Sequence, residues 1–280
     1  MKTIRKAVCM MLILAAVQGA LFPAEQAKAD RRRNETAACF PEADGITETS
    51  ERLTIDYSHI DRGYVMVKAR KTEQRMKLRV EHGDDSLHYE INGDGRYETI
   101  PLQFGSGKYR FTLFVSLSRN GNRYTRAGQM TLKCSMEDED SCFLYPNQYV
   151  RYDADSPLVV KAGALCEGME EPEEIAETIY QYVDQHYDYD WVKYFTVKAE
   201  DTRNLLPDIE TTWQTGIGVC QDLSALLCAM LRSQGIPARL VIGTADGECH
   251  AWVLIIIDGE ARSYDPTSKS HRSYHAERYY

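Results

Sequence analysis

The chain has 280 residues, 43% of them hydrophobic and 27% charged, with a formal net charge of −9. These values exclude wholesale disorder and leave room for one large domain or two modest ones. An acidic chain is also a poor match for nucleic acid or an anionic membrane surface, so neither is expected as a partner.

Residues 1–29 have the layout of a secretory signal peptide. Lys2, Arg5 and Lys6 precede a largely apolar run from Ala7 to Leu21, and Ala27-Lys28-Ala29 supplies a small-x-small cleavage signal. That run is too short for a stable membrane span, and no later stretch approaches the roughly 18 apolar residues a span needs. The expectation is a secreted, extracellular protein that is free of the membrane after cleavage. Cleavage removes four basic residues and one acid, taking the net charge from −9 to −12. The cysteines left are Cys39, Cys134, Cys142, Cys166, Cys220, Cys228 and Cys249. Their number is odd, so at least one thiol stays free or pairs between molecules. Export permits disulfides without requiring them, and Cys134 and Cys142, flanking a short acidic loop, are placed to close it.

Residues 30–51 are polar, contain Pro41 and Gly45, show no sustained period and read as a linker. Residues 52–134 change to short strand-like runs such as Tyr64 to Ala69, Met76 to Val80 and Tyr109 to Leu117. Turn signals at Asn92-Gly93-Asp94-Gly95, Gly105-Ser106-Gly107 and Asn120-Gly121-Asn122 separate them. The spacing predicts a small all-β sandwich domain of about seven strands. It holds no cluster of catalytic residue types, so it either binds substrate or wall material or simply spaces the enzyme. The acidic run Met136 to Asp140 lacks the spaced ligands and glycine of a calcium loop and reads as a solvated turn.

Helical periodicity begins at Pro172, where proline and two acids suit a helix start, and Ile175, Ile179 and Val183 follow on one face. A second helix is expected from Cys220, with Leu223, Leu226, Leu227, Met230 and Leu231 along one face and Gly235 and Pro237 ending it. Two strands follow, Ala238 to Ile242 and Ala251 to Ile257, and Asp258-Gly259 signals a hairpin into Glu260 to Asp265.

A cysteine nucleophile needs thiolate character, a base within reach and donors for a developing oxyanion. Cys220 follows a glycine-rich approach and opens an amphipathic helix, where free N–H groups and the macrodipole favour thiolate over thiol. If Asp258 and Gly259 are the two loop residues, Ile257 faces Glu260 and Asp265 falls opposite Trp252. His250 then shares the face of Trp252, with its backbone about 7–8 Å from that of Asp265 and within side-chain reach. A one-residue slip would send the two side chains to opposite faces. Asp265 can thus hold one nitrogen of His250 while the other serves Cys220. Glu248 competes with Asp265 for the orienting role. Trp213, Trp191 and Tyr194 are the candidates for a second oxyanion donor. Cys228 reads as inert core filler. Cys249 precedes His250 on a strand and points to the other face. A zinc ion shared by Cys220, Cys249 and His250 is therefore disfavoured, and the close cysteine-pair spacing of such sites is also missing. No cofactor is expected.

Gly218-Val219-Cys220-Gln221-Asp222-Leu223-Ser224, the run Leu231 to Arg239, His250-Ala251-Trp252 and Asp265-Pro266-Thr267 resemble the sequence blocks of the transglutaminase-like superfamily. Leu144 to Asn147 and Tyr187 to Asp190 are similar to the lead-in of its bacterial secreted members. The resemblance covers residues 143–280. It implies an α+β, papain-like fold with the nucleophile helix packed on an antiparallel sheet, and it implies Cys220 as nucleophile, His250 as base and acid, and Asp265 as orienter. Bacterial members usually carry a tryptophan shortly before the aspartate, where this chain has Ala261. The implied activity is acyl transfer on protein or peptide amides, as a peptidase or a cross-linking enzyme. The alternative is a non-catalytic cell-surface module that keeps the fold for binding.

Overall fold

Alternating sequence becomes alternating burial in the computed structural model, which describes residues 40–119, 121–200, 206–257, 259–267 and 273–280. The expected signal peptide, the Arg31–Arg33 run and Cys39 lie outside the described residues. Eight strands come first: β1 (Thr47–Ser50), β2 (Leu53–Asp56), β3 (Tyr64–Ala69), β4 (Met76–His82), β5 (Asp85–Ile91), β6 (Glu98–Pro101), β7 (Gly107–Ser116) and β8 (Tyr124–Cys134). They form two antiparallel four-stranded sheets, ordered β1-β2-β3-β6 and β5-β4-β7-β8. In β4, Met76, Leu78 and Val80 are buried while Lys77 and Arg79 between them stay part-exposed, as a strand with one wet face requires. Inward side chains of both sheets, Leu53, Ile55, Val65 and Val67 from one and Leu78, Phe111 and Leu113 from the other, merge in a single cluster.

Helices α1 (Pro157–Leu165), α2 (Pro172–His186), α3 (Trp191–Glu200), α4 (Ile209–Thr215) and α5 (Cys220–Ser233) follow, with β9 (Asp188–Tyr189) and β10 (Ile217–Gly218) between them. The chain then makes β11 (Ala238–Ala245), β12 (Glu248–Ile257), β13 (Glu260–Tyr264) and β14 (Tyr274–Tyr279), an antiparallel sheet ordered β13-β12-β11-β14. This mixed architecture of antiparallel sheets and five described helices agrees with the expected core, in which a nucleophile helix lies on a sheet. None of the described helices is long and apolar enough to cross a membrane.

The predicted starts at Pro172 and Cys220 are observed, and Ile175, Ile179 and Val183 are buried as the period required. Helix α5 departs from expectation in being buried on all sides from Asp222 to Ser233. The sheet covers one flank, with Ser224 Oγ donating to the Ala251 carbonyl of β12 at 3.1 Å. Helices α1, α2 and α4 cover the rest, so α5 is the centre of the second core cluster. Leu87 of β5 packs against both clusters and joins the two halves of the chain.

Arg232 is fully buried near the end of α5. Its guanidinium donates to the main-chain oxygens of Ala238 (2.8 Å), Tyr145 (2.6 Å) and Tyr280 (2.6 Å). One side chain thus ties the segment entering α1, the start of β11 and the end of β14 to the central helix. Cys134 and Cys142, expected to be able to close the acidic loop, are separate thiols here. Each donates to a carbonyl instead, Cys134 to Ile60 at 3.1 Å and Cys142 to Glu139 at 3.4 Å.

Replacing Arg232 by Met takes a donor from three buried oxygens, of which Tyr280 keeps the Leu240 amide; each unmade bond costs about 1–3 kcal/mol, offset in part because a cation is no longer buried. We expect a net loss of at least about 2 kcal/mol, read as a lower urea midpoint with an unchanged slope.

Candidate active site

The β12–β13 hairpin has the predicted register. Ile257 stands opposite Glu260 and Val253 opposite Tyr264, so the ladder ends one residue before Asp265 and its side chain can turn back over His250. Asp258, half of the expected two-residue loop, lies outside the described residues. His250 Nε2 and Asp265 Oδ2 are 2.8 Å apart, and each residue is 7% exposed. The other ring nitrogen is left for Cys220, whose side chain lies near enough to help raise the His250 pKa. The structure therefore brings Cys220, His250 and Asp265 together from the start of α5, the middle of β12 and the end of β13.

Asp265 is held by more than His250. Oδ2 also accepts from the Tyr274 hydroxyl at 2.9 Å, while Oδ1 accepts from the Thr267 amide at 2.9 Å and the Thr267 hydroxyl at 2.7 Å. Burial raises the pKa of this carboxylate, but the hydrogen bonds from His250 and Thr267 and the charge of His250 lower it overall. For His250, burial opposes charging. Hydrogen bonds to Asp265 and Cys220 and the negative charge of both outweigh it, raising the ring to about 9. Because that value lies above the ordinary 6.5, protonated His250 favours the folded state fully below 6.5, and the contribution fades as pH rises through about 9. At neutral pH the arrangement holds a proton on the imidazole beside the sulfur.

Tyr274 reaches Asp265 because β14 lies very close to β11. Gly243 faces His250 across the β11–β12 ladder, and β14 has a bulge at Ile242/Gly243. A Cβ on Gly243 would come within 2.1 Å of the His275 carbonyl oxygen, so only glycine permits this approach.

Cys220 is half-buried at the first position of α5, preceded by Val219 as N-cap. The start of the helix is fixed by Asp222, which is 0% exposed. Its carboxylate accepts from the Val219 amide (3.0 Å), the Asp208 amide (2.9 Å) and Lys193 Nζ (2.6 Å). It thereby joins α3, the N-cap of α4 and α5. Gly218 is also needed, since a Cβ there would lie 2.9 Å from both the Asp222 Cβ and Thr212 Oγ1.

Tyr189 entered the sequence reading only as part of the Tyr187-Asp188-Tyr189-Asp190 block, with no role at the site. Strand β9 runs parallel to β10, with Tyr189 beside Gly218, and this places its hydroxyl on Cys220. The hydroxyl lies against Cys220, and burial together with the nearby sulfur raises its pKa. Trp191 and Tyr194, expected as oxyanion donors, pack against Tyr189, with ring centroids 4.8 and 6.0 Å away. Trp213 packs near Tyr187 instead. The signal for Tyr189 was the Tyr187-Asp188-Tyr189-Asp190 block, but nothing in it foretold the parallel pairing with β10.

The remaining candidates fall outside the site. Cys228 is fully buried, its thiol pushed up to about 12 by desolvation. Cys249 is exposed and adjacent to His250 on β12, so alternation turns it to the other face, where it cannot share a metal with His250. Glu248 is exposed and electrostatically linked to Lys198, whereas Asp265 holds the His250 ring.

Residues 161–266 match the family model of the Transglutaminase-like superfamily. Among solved structures the chain is similar to a candidate cysteine protease from Cytophaga hutchinsonii, with 14% identity and a TM-score of 0.39 over 79% of this chain and 78% of that one. It is similar to a candidate protease from Parabacteroides distasonis, with 15% identity and a TM-score of 0.31 over 70% of this chain and 38% of the other. Red sea bream transglutaminase gives 14% identity and a TM-score of 0.30 over 72% and 47%. No curated protein matches the sequence.

Two substitutions test the geometry. Asp265→Asn removes the accepting charge, so the His250 ring pKa, followed by imidazole nitrogen NMR, should fall from about 9 to near or below 6.5. An unchanged value would mean that Asp265 does not hold the ring's charge. Asp222→Ala strands Lys193 and two backbone amides, and should cost about 3–5 kcal/mol in chemical denaturation.

Proposed function

We propose, from the match of residues 161–266 to the Transglutaminase-like superfamily model, that the chain is a thiol acyl-transfer enzyme acting on protein or peptide amides. One observation carries the reading: Cys220 beside a His250 ring that Asp265 holds at 2.8 Å, with the sulfur at the positive end of a buried helix.

In this reading Cys220 attacks the amide carbonyl as thiolate, forming a C–S bond while the carbonyl electrons move to oxygen. The Cys220 N–H is one donor to that oxyanion, and the Tyr189 hydroxyl, kept protonated by its raised pKa, is the second. Collapse expels the amine, which takes the proton stored on His250. Water or a second amine then attacks the thioester, His250 removes its proton, and the thiolate leaves. Water gives peptidase activity and an amine gives cross-linking. Asp265 keeps the ring oriented and stabilises the imidazolium throughout. The acidic mature surface and the leader-like residues 1–29 support action outside the cell on exported proteins or peptides. The β1–β8 segment is then a separate β-sandwich domain that begins at Thr47, inside the stretch 30–51 expected as a linker, because β1 pairs with β2 there; the catalytic domain runs from 143 onward.

The test compares wild-type and Cys220→Ala enzyme on a mixture of exported proteins by mass spectrometry. Cross-links with ammonia loss mark transamidation, and new termini mark peptidase action; either must disappear in the variant. Full turnover by Cys220→Ala, or a soft electrophile that at neutral pH labels Cys249 or Cys228 ahead of Cys220, overturns the assignment in favour of a binding module.

A further inference from the structure

The outer face of the β1-β2-β3-β6 sheet carries an unbalanced group of cations. Leu53 pairs with Ala69 and Thr54 with Lys68, and the Arg70 amide donates to the Arg52 carbonyl at 2.9 Å, which sets Arg52 opposite Arg70. Leu53 and Ala69 point into the core, so alternation sends Arg52, Thr54, Lys68 and Arg70 to the other face. With Glu51 and Lys71 they line a cleft of about 300 Å³. Four cations therefore face one carboxylate, in a chain whose net charge is −9.

The local charge pattern is costly in the free protein. Like charges directly opposite on neighbouring strands destabilise the pair, and a strand usually meets a cation with an acid. Lys77 of β4 meets Glu90 of β5 at 3.1 Å and Glu81 stands opposite Arg110; Lys108 also stands opposite Lys133, but both are exposed to solvent, whereas Arg52 is part-buried. Among the described residues no salt bridge involves Arg52, Lys68, Arg70 or Lys71. Arg52 Nε is buried without an acceptor. The Lys68 ammonium lies 4.3 Å over the Tyr97 ring, which braces it without neutralising it.

We propose that this cleft binds a ligand with two or more closely spaced phosphoryl groups. The planar donor forks of Arg52 and Arg70 match phosphoryl oxygens, Lys68 and Lys71 add compact positive charges, and Thr54 offers a hydroxyl. An acidic peptide fits less well. An extended chain returns a side chain to the same face only about every 6.8 Å, so it brings few carboxylates into so small a space. Phosphoryl groups sharing a bridging oxygen place more charge in the same volume. The site uses a different sheet from His250 and stands independently of the acyl-transfer reading.

Calorimetric titration of the full chain tests it, with tripolyphosphate, long-chain polyphosphate and hexaglutamate as probes at low and moderate salt. Tripolyphosphate should bind one per chain, at least about tenfold tighter than hexaglutamate and weaker as salt rises. Affinity per site that is equal for the two phosphates marks a short soluble ligand, and affinity that grows with length marks a polymer. The double variant Arg52→Gln, Arg70→Gln should lose at least about tenfold, and Lys71→Gln, at an exposed position, about threefold. Arg52→Gln alone, without ligand, should melt no lower than the wild type, because the opposed like charge is gone. Equal binding by wild type and a folded double variant, or hexaglutamate matching tripolyphosphate, overturns the proposal.

Discussion

The candidate site depends on how firmly one carboxylate is held. Asp265 lies just past the end of a ladder, where a side chain would ordinarily have several rotamers. Two bonds from Thr267, one from Tyr274 and one from His250 leave it a single arrangement. The fixed carboxylate then fixes the ring, and the ring's remaining nitrogen fixes where a thiol proton can go. Burial alone would have lowered the pKa of His250; the neighbouring charges raise it, so the imidazole stores a proton at neutral pH.

The sulfur's position is controlled by a second buried carboxylate. Asp222 closes the N-terminus of α5 by accepting the Val219 amide, and Lys193 offsets its charge. A helix buried on every side cannot tilt or unwind locally without breaking core packing. Cys220 therefore meets His250 on a rigid mount, and Arg232 anchors the far end of the same helix to three chain segments. The two ends of α5 use opposite charges, an acid where amides are unpaired and a cation near the last carbonyls, as the helix dipole favours.

The thiols show the same division between mount and reagent. Burial pushes Cys134 up to about 11 and Cys142 and Cys228 up to about 12, which keeps them protonated and inert. Among the described cysteines, Cys220 alone combines partial exposure, a helix start and a nearby histidine. The β1–β8 segment follows a different logic. Its core is apolar and regular, and its chemistry sits on the outside, where Arg52 faces Arg70.

The sequence by itself determined the local elements and the pairing that matters most. Periodicity located α2 and α5, and the Asp258-Gly259 turn signal set the β12–β13 register that puts His250 beside Asp265, because side-chain direction in a hairpin follows from counting. What only the tertiary structure decided were contacts between segments far apart in the chain or outside any regular period. Tyr189 reaches Cys220 through a parallel pairing of two-residue strands, too short to leave a pattern. Tyr274 reaches Asp265 through a bulge that Gly243 permits, and bulges have no local signature strong enough to read. Lys193 finds Asp222, and Arg232 finds three carbonyls, only once helices have packed, since a single charged residue does not encode its distant partner. Cross-strand charge opposition at Arg52 and Arg70 was invisible for the same reason: it belongs to the ladder, and neither residue shows it alone.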